Sequence, residues 1–336
     1  MLIMLLNYII DPLRLYHDCT DFRLNQHNKI LFYGKLKNFD YDSIIIGQST
    51  AWNYNIKLLN DNFHSSFILV ASSDSSSYDF QRLLSHALKY KKNIKTIIYE
   101  LGFWSFSGDT DKSNLPTKYL YSDTTNPFIS SLKYLSDSTV IHLTINVLVG
   151  RMAKRNYYGV IYEPECTQHN GAVDDDYKYR PEQYCYNNAI NAFNSLVFAV
   201  NDGTSNLYYN DKDYVTDVMM HNLNENLLGL IAKNPNIKFI IFHPPYSILH
   251  FVYLKYYKPM IYKHYIEFKC NANKILSQYP NVEIYDFQNA TNITTRLDKY
   301  CDTHHFNRDA SEFVENNLKN SKYKVNNINK CQINGL

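Results

Sequence analysis

Residues 41–50 read Tyr41-Asp42-Ser43-Ile44-Ile45-Ile46-Gly47-Gln48-Ser49-Thr50. The core of this stretch, Ser43–Gly47, is a short run of successive isoleucines closed by glycine. An unbroken β-branched run of that length fits a strand buried on both faces, which is the environment of a parallel sheet. Four later runs have the same character: Phe67–Ala71 (FILVA), Thr96–Leu101 (TIIYEL), Lys238–Phe242 (KFIIF) and Val282–Phe287 (VEIYDF). Apolar residues at helical spacing lie between them, over Tyr78–Tyr90 and Pro259–Tyr279. Strand–helix alternation at both ends of the chain predicts an α/β fold, a three-layer α/β/α arrangement around a parallel sheet.

The middle departs from this rhythm. After Gly102 comes a loop-like polar stretch, then helical patterns over Pro127–Arg155, Pro181–Asn201 and Tyr214–Ala232, with Asp174, Asp175 and Asp176 between them. The expected division is 1–12 as an N-terminal apolar segment, 13–101 and 237–320 as the two parts of the sheet domain, 102–236 as a mostly helical insertion or cap, and 321–336 as a tail.

Bulk properties narrow the function. The chain has 336 residues, 34 basic and 32 acidic, for a net charge of +2. Charges so balanced and mixed give no clustered basic face, so nucleic acid is not an expected partner. No Walker loop or G-x-G-x-x-G turn occurs, so no nucleotide cofactor is expected. Cys19, Cys166, Cys185, Cys270, Cys301 and Cys331 include no C-x-x-C pair and no zinc-type spacing. A bridge between Cys166 and Cys185 is the expected pairing if the compartment is oxidising. The opening Met1–Ile10 run is too short to span a membrane, which takes about 20 apolar residues. It reads as the stump of a signal anchor, or else as a buried strand or helix.

Ligands of open parallel sheets bind beyond the carboxyl ends of the strands. The first such loop is Gly47-Gln48-Ser49-Thr50. A serine on a tight strand-to-helix turn presents its hydroxyl at the sheet mouth near backbone N–H groups that can stabilise an oxyanion. The plainer reading is that Ser49 caps the next helix. The last such loop leads to Tyr300-Cys301-Asp302-Thr303-His304-His305-Phe306-Asn307. A hydroxyl nucleophile needs a base, and an imidazole base needs a carboxylate to orient it. Asp302 and His305, three residues apart, can face one another. Their alternatives are a surface loop, or a metal site with His304, which lacks a further ligand cluster. Asp174–Asp176 reads as a solvated acidic loop, and His243 as a histidine satisfied within the fold, with a secondary place facing the site.

Together the early serine turn and the late D-x-x-H resemble the SGNH (GDSL-like) hydrolase family, with Ser49, Asp302 and His305 as the triad. Asn7-Tyr8-Ile9-Ile10-Asp11-Pro12 looks like the membrane-anchor exit of bacterial tethered members, Tyr41–Thr50 like their nucleophile block, and His243-Pro244-Pro245-Tyr246-Ser247 like their Pro-Pro-Tyr loop. The chain departs from the family at three places. Gln48 replaces the usual Asp before the nucleophile. Ala71-Ser72-Ser73-Asp74-Ser75 stands where a glycine supplies an N–H, and Gly102-Phe103-Trp104 lacks the oxyanion Asn. A replacement oxyanion set is expected from the Ser49 N–H, the backbone near Asp74 and the Trp104 indole.

The resemblance implies a serine-dependent esterase or O-acyltransferase without a metal or cofactor. Its substrate would be an O-acyl, above all acetyl, group of an envelope polysaccharide, and the protein would be anchored at a bacterial inner membrane facing the periplasm or exterior. The other classes are a catalytically inactive polysaccharide-binding or assembly factor, and a cytoplasmic protein whose apolar start is core.

Overall fold

The structure is a computed structural model describing residues 2–18, 20–24, 29–115, 127–158, 160–167, 185, 187–191, 193–194, 210–326 and 331–333. The strands are β1 (Thr20–Leu24), β2 (Ser43–Gly47), β3 (Phe67–Ala71), β4 (Thr96–Glu100), β5 (Val160–Thr167), β6 (Lys238–His243) and β7 (Val282–Asp286). Residues 42–81, 94–112 and 171–336 make one compact unit; residues 1–41, 82–93 and 113–170 make another. This division interleaves along the chain, unlike the expected split at residues 101 and 236.

The larger unit holds a five-stranded sheet in the order β3-β2-β4-β6-β7, parallel throughout. All five residues of β2 are buried, as are all five of β4. That two-sided burial is why neither strand alternates apolar with polar residues. On one face Ile45, Leu69, Ile98 and Ile240 pack with Tyr54, Leu59, Phe287 and Val314, which brings helices Ile56–Phe63 and Arg308–Asn317 against the sheet. On the other, Tyr99 meets the Phe80 ring at 5.8 Å and Phe106 meets Phe268 of helix Pro259–Leu276 at 5.4 Å. The connection after β2 runs to β3 on one side and the connection after β4 runs to β6 on the other, so β2 and β4 flank the point where strand order reverses. In open parallel sheets such a point is where ligands bind.

The expected tail is engaged. The Asp286 N–H donates to the Tyr323 carbonyl at 2.8 Å and the Val325 N–H to the Ile284 carbonyl at 2.9 Å. Residues 323–325 thereby cover the β7 edge, an exposed row of backbone groups otherwise open to foreign strands. Cys270 of helix Pro259–Leu276 is disulfide-bonded to Cys331.

In the smaller unit β1 and β5 pair antiparallel, so the stretch expected to be mostly helical also carries a strand. The pattern over Pro127–Arg155 is two helices, Pro127–Ser136 and Ser138–Ala153, divided where Asp137 caps the second. Asp11 is fully buried and organises the start of the chain. Its carboxylate accepts the N–H groups of Leu15, Tyr16 and His17 at 3.0, 2.7 and 2.8 Å and the Tyr134 hydroxyl at 2.7 Å. Gly34 is required by close approach, because a β-carbon there would fall 2.0 Å from the Leu13 carbonyl oxygen. The Asn7–Pro12 block is thus the last turn of helix Leu2–Ile10 and the turn that follows it. Among the described residues no helix is long and apolar enough to cross a membrane.

Glu315, buried at 1% exposure, accepts the Asn55 N–H through Oε1 and leaves Oε2 without a hydrogen bond. Burial, abetted by Glu312, pushes its carboxyl up to about 9. The unfolded chain gives up this proton near the ordinary value of 4.5 while the fold retains it to about 9. This group therefore erodes stability as pH rises across that interval. Glu315→Gln should remove the slope, raising stability over the parent by about 1–3 kcal/mol at alkaline pH. The advantage should shrink below the ordinary glutamate value, as read by urea unfolding of both proteins across pH.

Candidate active site

Ser49 begins a tight 3-10 turn, Ser49–Asn53, directly after β2. The next α-helix starts only at Ile56 and is capped by Asn55, whose side chain accepts the Leu58 N–H at 3.2 Å. Capping therefore falls to Asn55. The Ser49 hydroxyl instead lies 2.7 Å from Nε2 of His305, 256 positions along the chain.

The late loop is a closed structure. Tyr300 and Phe306 form an antiparallel bridge, and the Cys301 N–H donates to the His305 carbonyl at 2.7 Å. Inside it, Asp302 Oδ1 accepts the N–H groups of His304 and His305 at 2.8 and 2.7 Å, and Oδ2 meets His305 Nδ1 at 2.5 Å. Burial opposes ionisation of Asp302, but the His305 hydrogen bond and the two neighbouring imidazoles outweigh it and hold the carboxyl well below the usual range. An ionised carboxylate only accepts, so His305 Nδ1 carries the proton. In the neutral ring Nε2 is then the acceptor, and the Ser49 O–H donates to it. The result is a hydroxyl, an imidazole of fixed tautomer and an ionised carboxylate in series.

Three contacts hold the two loops in place. Asn53 Nδ2 donates to the Phe306 carbonyl at 2.7 Å, joining the serine turn to the histidine loop. The Tyr300 hydroxyl donates to the Pro245 carbonyl at 2.6 Å, which gives the Pro244–Tyr246 segment a bracing role. Cys301 is disulfide-bonded to Cys185. The expected Cys166–Cys185 bridge is thereby corrected: Cys185 is bonded instead to the loop carrying Asp302 and His305, a juxtaposition made by the fold.

The remaining expected residues sort into neighbours and outsiders. Gln48 is buried and donates through Nε2 to the Ser75 carbonyl at 2.8 Å, tying the loop after β3 to the serine turn. Asp74 is exposed on that loop with a left-handed backbone (φ +52°), and its charge acts on His304. The Trp104 ring lies 4.8 Å from His304, 4.9 Å from Tyr246 and 5.1 Å from His250. Trp104 is therefore packed among rings while remaining partly exposed. Burial chiefly pushes His304 down to about 4 and His250 down to about 3, so both are neutral near pH 7. His243 is held elsewhere: it is buried, with Nε2 2.9 Å from Asn273 Oδ1, close to the ion pair of Lys269 with Asp286 at 2.8 Å. Its place is structural. Asp174–Asp176 lie outside the described residues.

Asp302, His304 and His305 bring one donor atom each within 4.8 Å of one another. Asp302 already spends both oxygens on N–H donors, and His305 spends Nδ1 on Asp302 and Nε2 on Ser49. The geometry favours a proton path over a cation site. Glu100, at the end of β4, went unread in the sequence, although an acidic residue closing an otherwise apolar, two-sided strand was a legible signal.

No protein-family model and no curated protein matches this chain.

Replacing Cys185 and Cys301 together by serine releases a cross-link between positions 116 residues apart. Urea unfolding of the double variant should show a loss of about 2–5 kcal/mol.

Proposed function

We propose that this protein is a serine-dependent acyl-ester hydrolase or O-acyltransferase of SGNH type. The observation that carries the reading is the 2.7 Å contact of Ser49 Oγ with His305 Nε2, on an imidazole whose Nδ1 meets Asp302 at 2.5 Å. In the reaction, Ser49 Oγ attacks the acyl carbonyl while its proton passes to Nε2. The ester C–O bond then breaks, and the same proton leaves with the sugar oxygen. Acyl-Ser49 is next attacked by water, giving hydrolysis, or by another hydroxyl, giving transfer. The Ser49 N–H, the backbone around Asp74 and Trp104 border the place where the oxyanion develops.

The proposed substrate is an O-acetylated envelope polysaccharide, acted on outside the cytoplasm. Two features support the setting. The Cys185–Cys301 and Cys270–Cys331 bonds suit an oxidising compartment. Helix Leu2–Ile10 leaves Leu2, Leu5 and Ile9 more than half exposed, and helix Pro127–Ser136, which packs on it, exposes Phe128, Ile129 and Leu132. Such apolar surface suits attachment at a lipid boundary.

A fluorophosphonate probe should label the native protein and leave Ser49→Ala unlabelled. Failure of the folded native protein to label would sink the enzyme reading in favour of a non-catalytic polysaccharide-binding role. With p-nitrophenyl acetate, Asp302→Asn should lower kcat about 1,000- to 10,000-fold, because the amide no longer enforces the tautomer that leaves Nε2 free to accept.

A further inference from the structure

Beneath the serine turn lies a second carboxyl group that the triad does not use. Glu100 is 1% exposed. One of its oxygens accepts the Thr50 hydroxyl, and the carboxyl also accepts the Gln48 N–H. Gln48 and Thr50 are the residues on either side of Ser49, so a single side chain holds both flanks of the nucleophile. The other oxygen, Oε2, has no hydrogen-bond partner. Gly47 leaves room on this side of the turn: a β-carbon there would fall 2.9 Å from Ala51 Cβ, 3.0 Å from Glu100 Cβ and 3.1 Å from Glu100 Cδ. Burying an incompletely bonded carboxyl costs free energy, whereas burying an apolar side chain in its place would stabilise.

We propose that Glu100 is a positioning residue of the Ser49 site, clamping the two residues that flank the nucleophile. This role rests on the serine-hydrolase reading. Burial above all pushes Glu100 up to about 7, against the lowering effects of Thr50, Gln48 and the His305 charge. Among the described residues no lysine or arginine contributes to its ionisation. The groups that face it are Thr50 and Gln48 of the turn, His305 of the late loop, and the hydroxyls of Tyr54 and Tyr99, whose own ionisation its charge opposes. As pH rises through neutrality the group ionises, and its hold on the turn changes from a neutral to a charge-assisted hydrogen bond. Ser49 reactivity then carries an inflection belonging to Glu100.

The test uses the whole chain and a fluorophosphonate, whose inactivation rate reports Ser49 directly, measured from about pH 5 to pH 9. Glu100→Gln preserves an accepting oxygen but cannot ionise; it should abolish the inflection near neutrality and slow labelling about threefold. Thr50→Val keeps the shape of the turn and removes one clamp, and should slow labelling about tenfold with unchanged circular dichroism. Wild-type rates and a wild-type pH profile in both variants would overturn the proposal. An infrared carbonyl band from protonated Glu100, absent in Glu100→Gln and titrating near neutrality, reads the group without any serine chemistry. A titrating band in a native protein that never labels would defeat the hydrolase reading, and the positioning role with it. Labelling that ignores both substitutions defeats the positioning role alone.

Discussion

The Asp302 carboxylate is saturated: two backbone N–H groups occupy one oxygen and the His305 ring N–H occupies the other. Everything chemical about the site depends on that saturation. A carboxylate so bonded stays ionised and can only accept, which fixes the proton on Nδ1 and leaves Nε2 as a base for Ser49. All three donors come from the same short loop, two of them backbone amides, so the loop must close tightly enough to turn those amides inward. The Tyr300–Phe306 bridge closes it, while Asn53, Pro245 and Cys185 hold it from outside. Orientation of the imidazole is therefore a property of the surrounding fold as much as of the Asp-x-x-His spacing.

Sheet topology decides where that loop can act. With strand order β3-β2-β4-β6-β7, the loops leaving β2 and β4 diverge, and the crevice between them receives the serine turn from one side and the Trp104 segment from the other. The histidine loop arrives from beyond β7, across Tyr246 and Tyr300. The rings of Trp104, Tyr246, His250 and His304 pack against one another beside it. Burial chiefly depresses His250 to about 3 and His304 to about 4, so both stay neutral. A second cationic imidazole beside His305 would weaken it as a base.

The fold also retains polar groups that stability alone would not favour. Glu100 and Glu315 are buried with one oxygen of each unbonded. Lys269 and Asp286 form a buried pair at 2.8 Å, and His243 sits beside it. Glu315 braces the cap of the helix that follows the serine turn. Glu100 braces the turn itself. In the smaller unit Asp11 plays a purely architectural part, trading one buried charge for four hydrogen bonds.

The central strands β2 and β4 were legible because two-sided burial imposes unbroken apolar runs, a constraint acting residue by residue. Ser49, Asp302 and His305 were legible as one candidate group because a hydroxyl, a carboxylate and an imidazole each sit on loops beyond the carboxyl ends of such strands. The interleaving of the two units was hidden, since helix and strand signals at 127–167 do not say which partner they pack against. So was the Cys185–Cys301 bond, because spacing along a chain says nothing about proximity across 116 residues. The plain capping role for Ser49 could be set aside only when Asn55 was found to do that work. Local chemistry, then, was written in the order of residues. Which distant groups complete one another's hydrogen bonds was decided by the closing of the sheet, because that pairing depends on distances only the folded chain possesses.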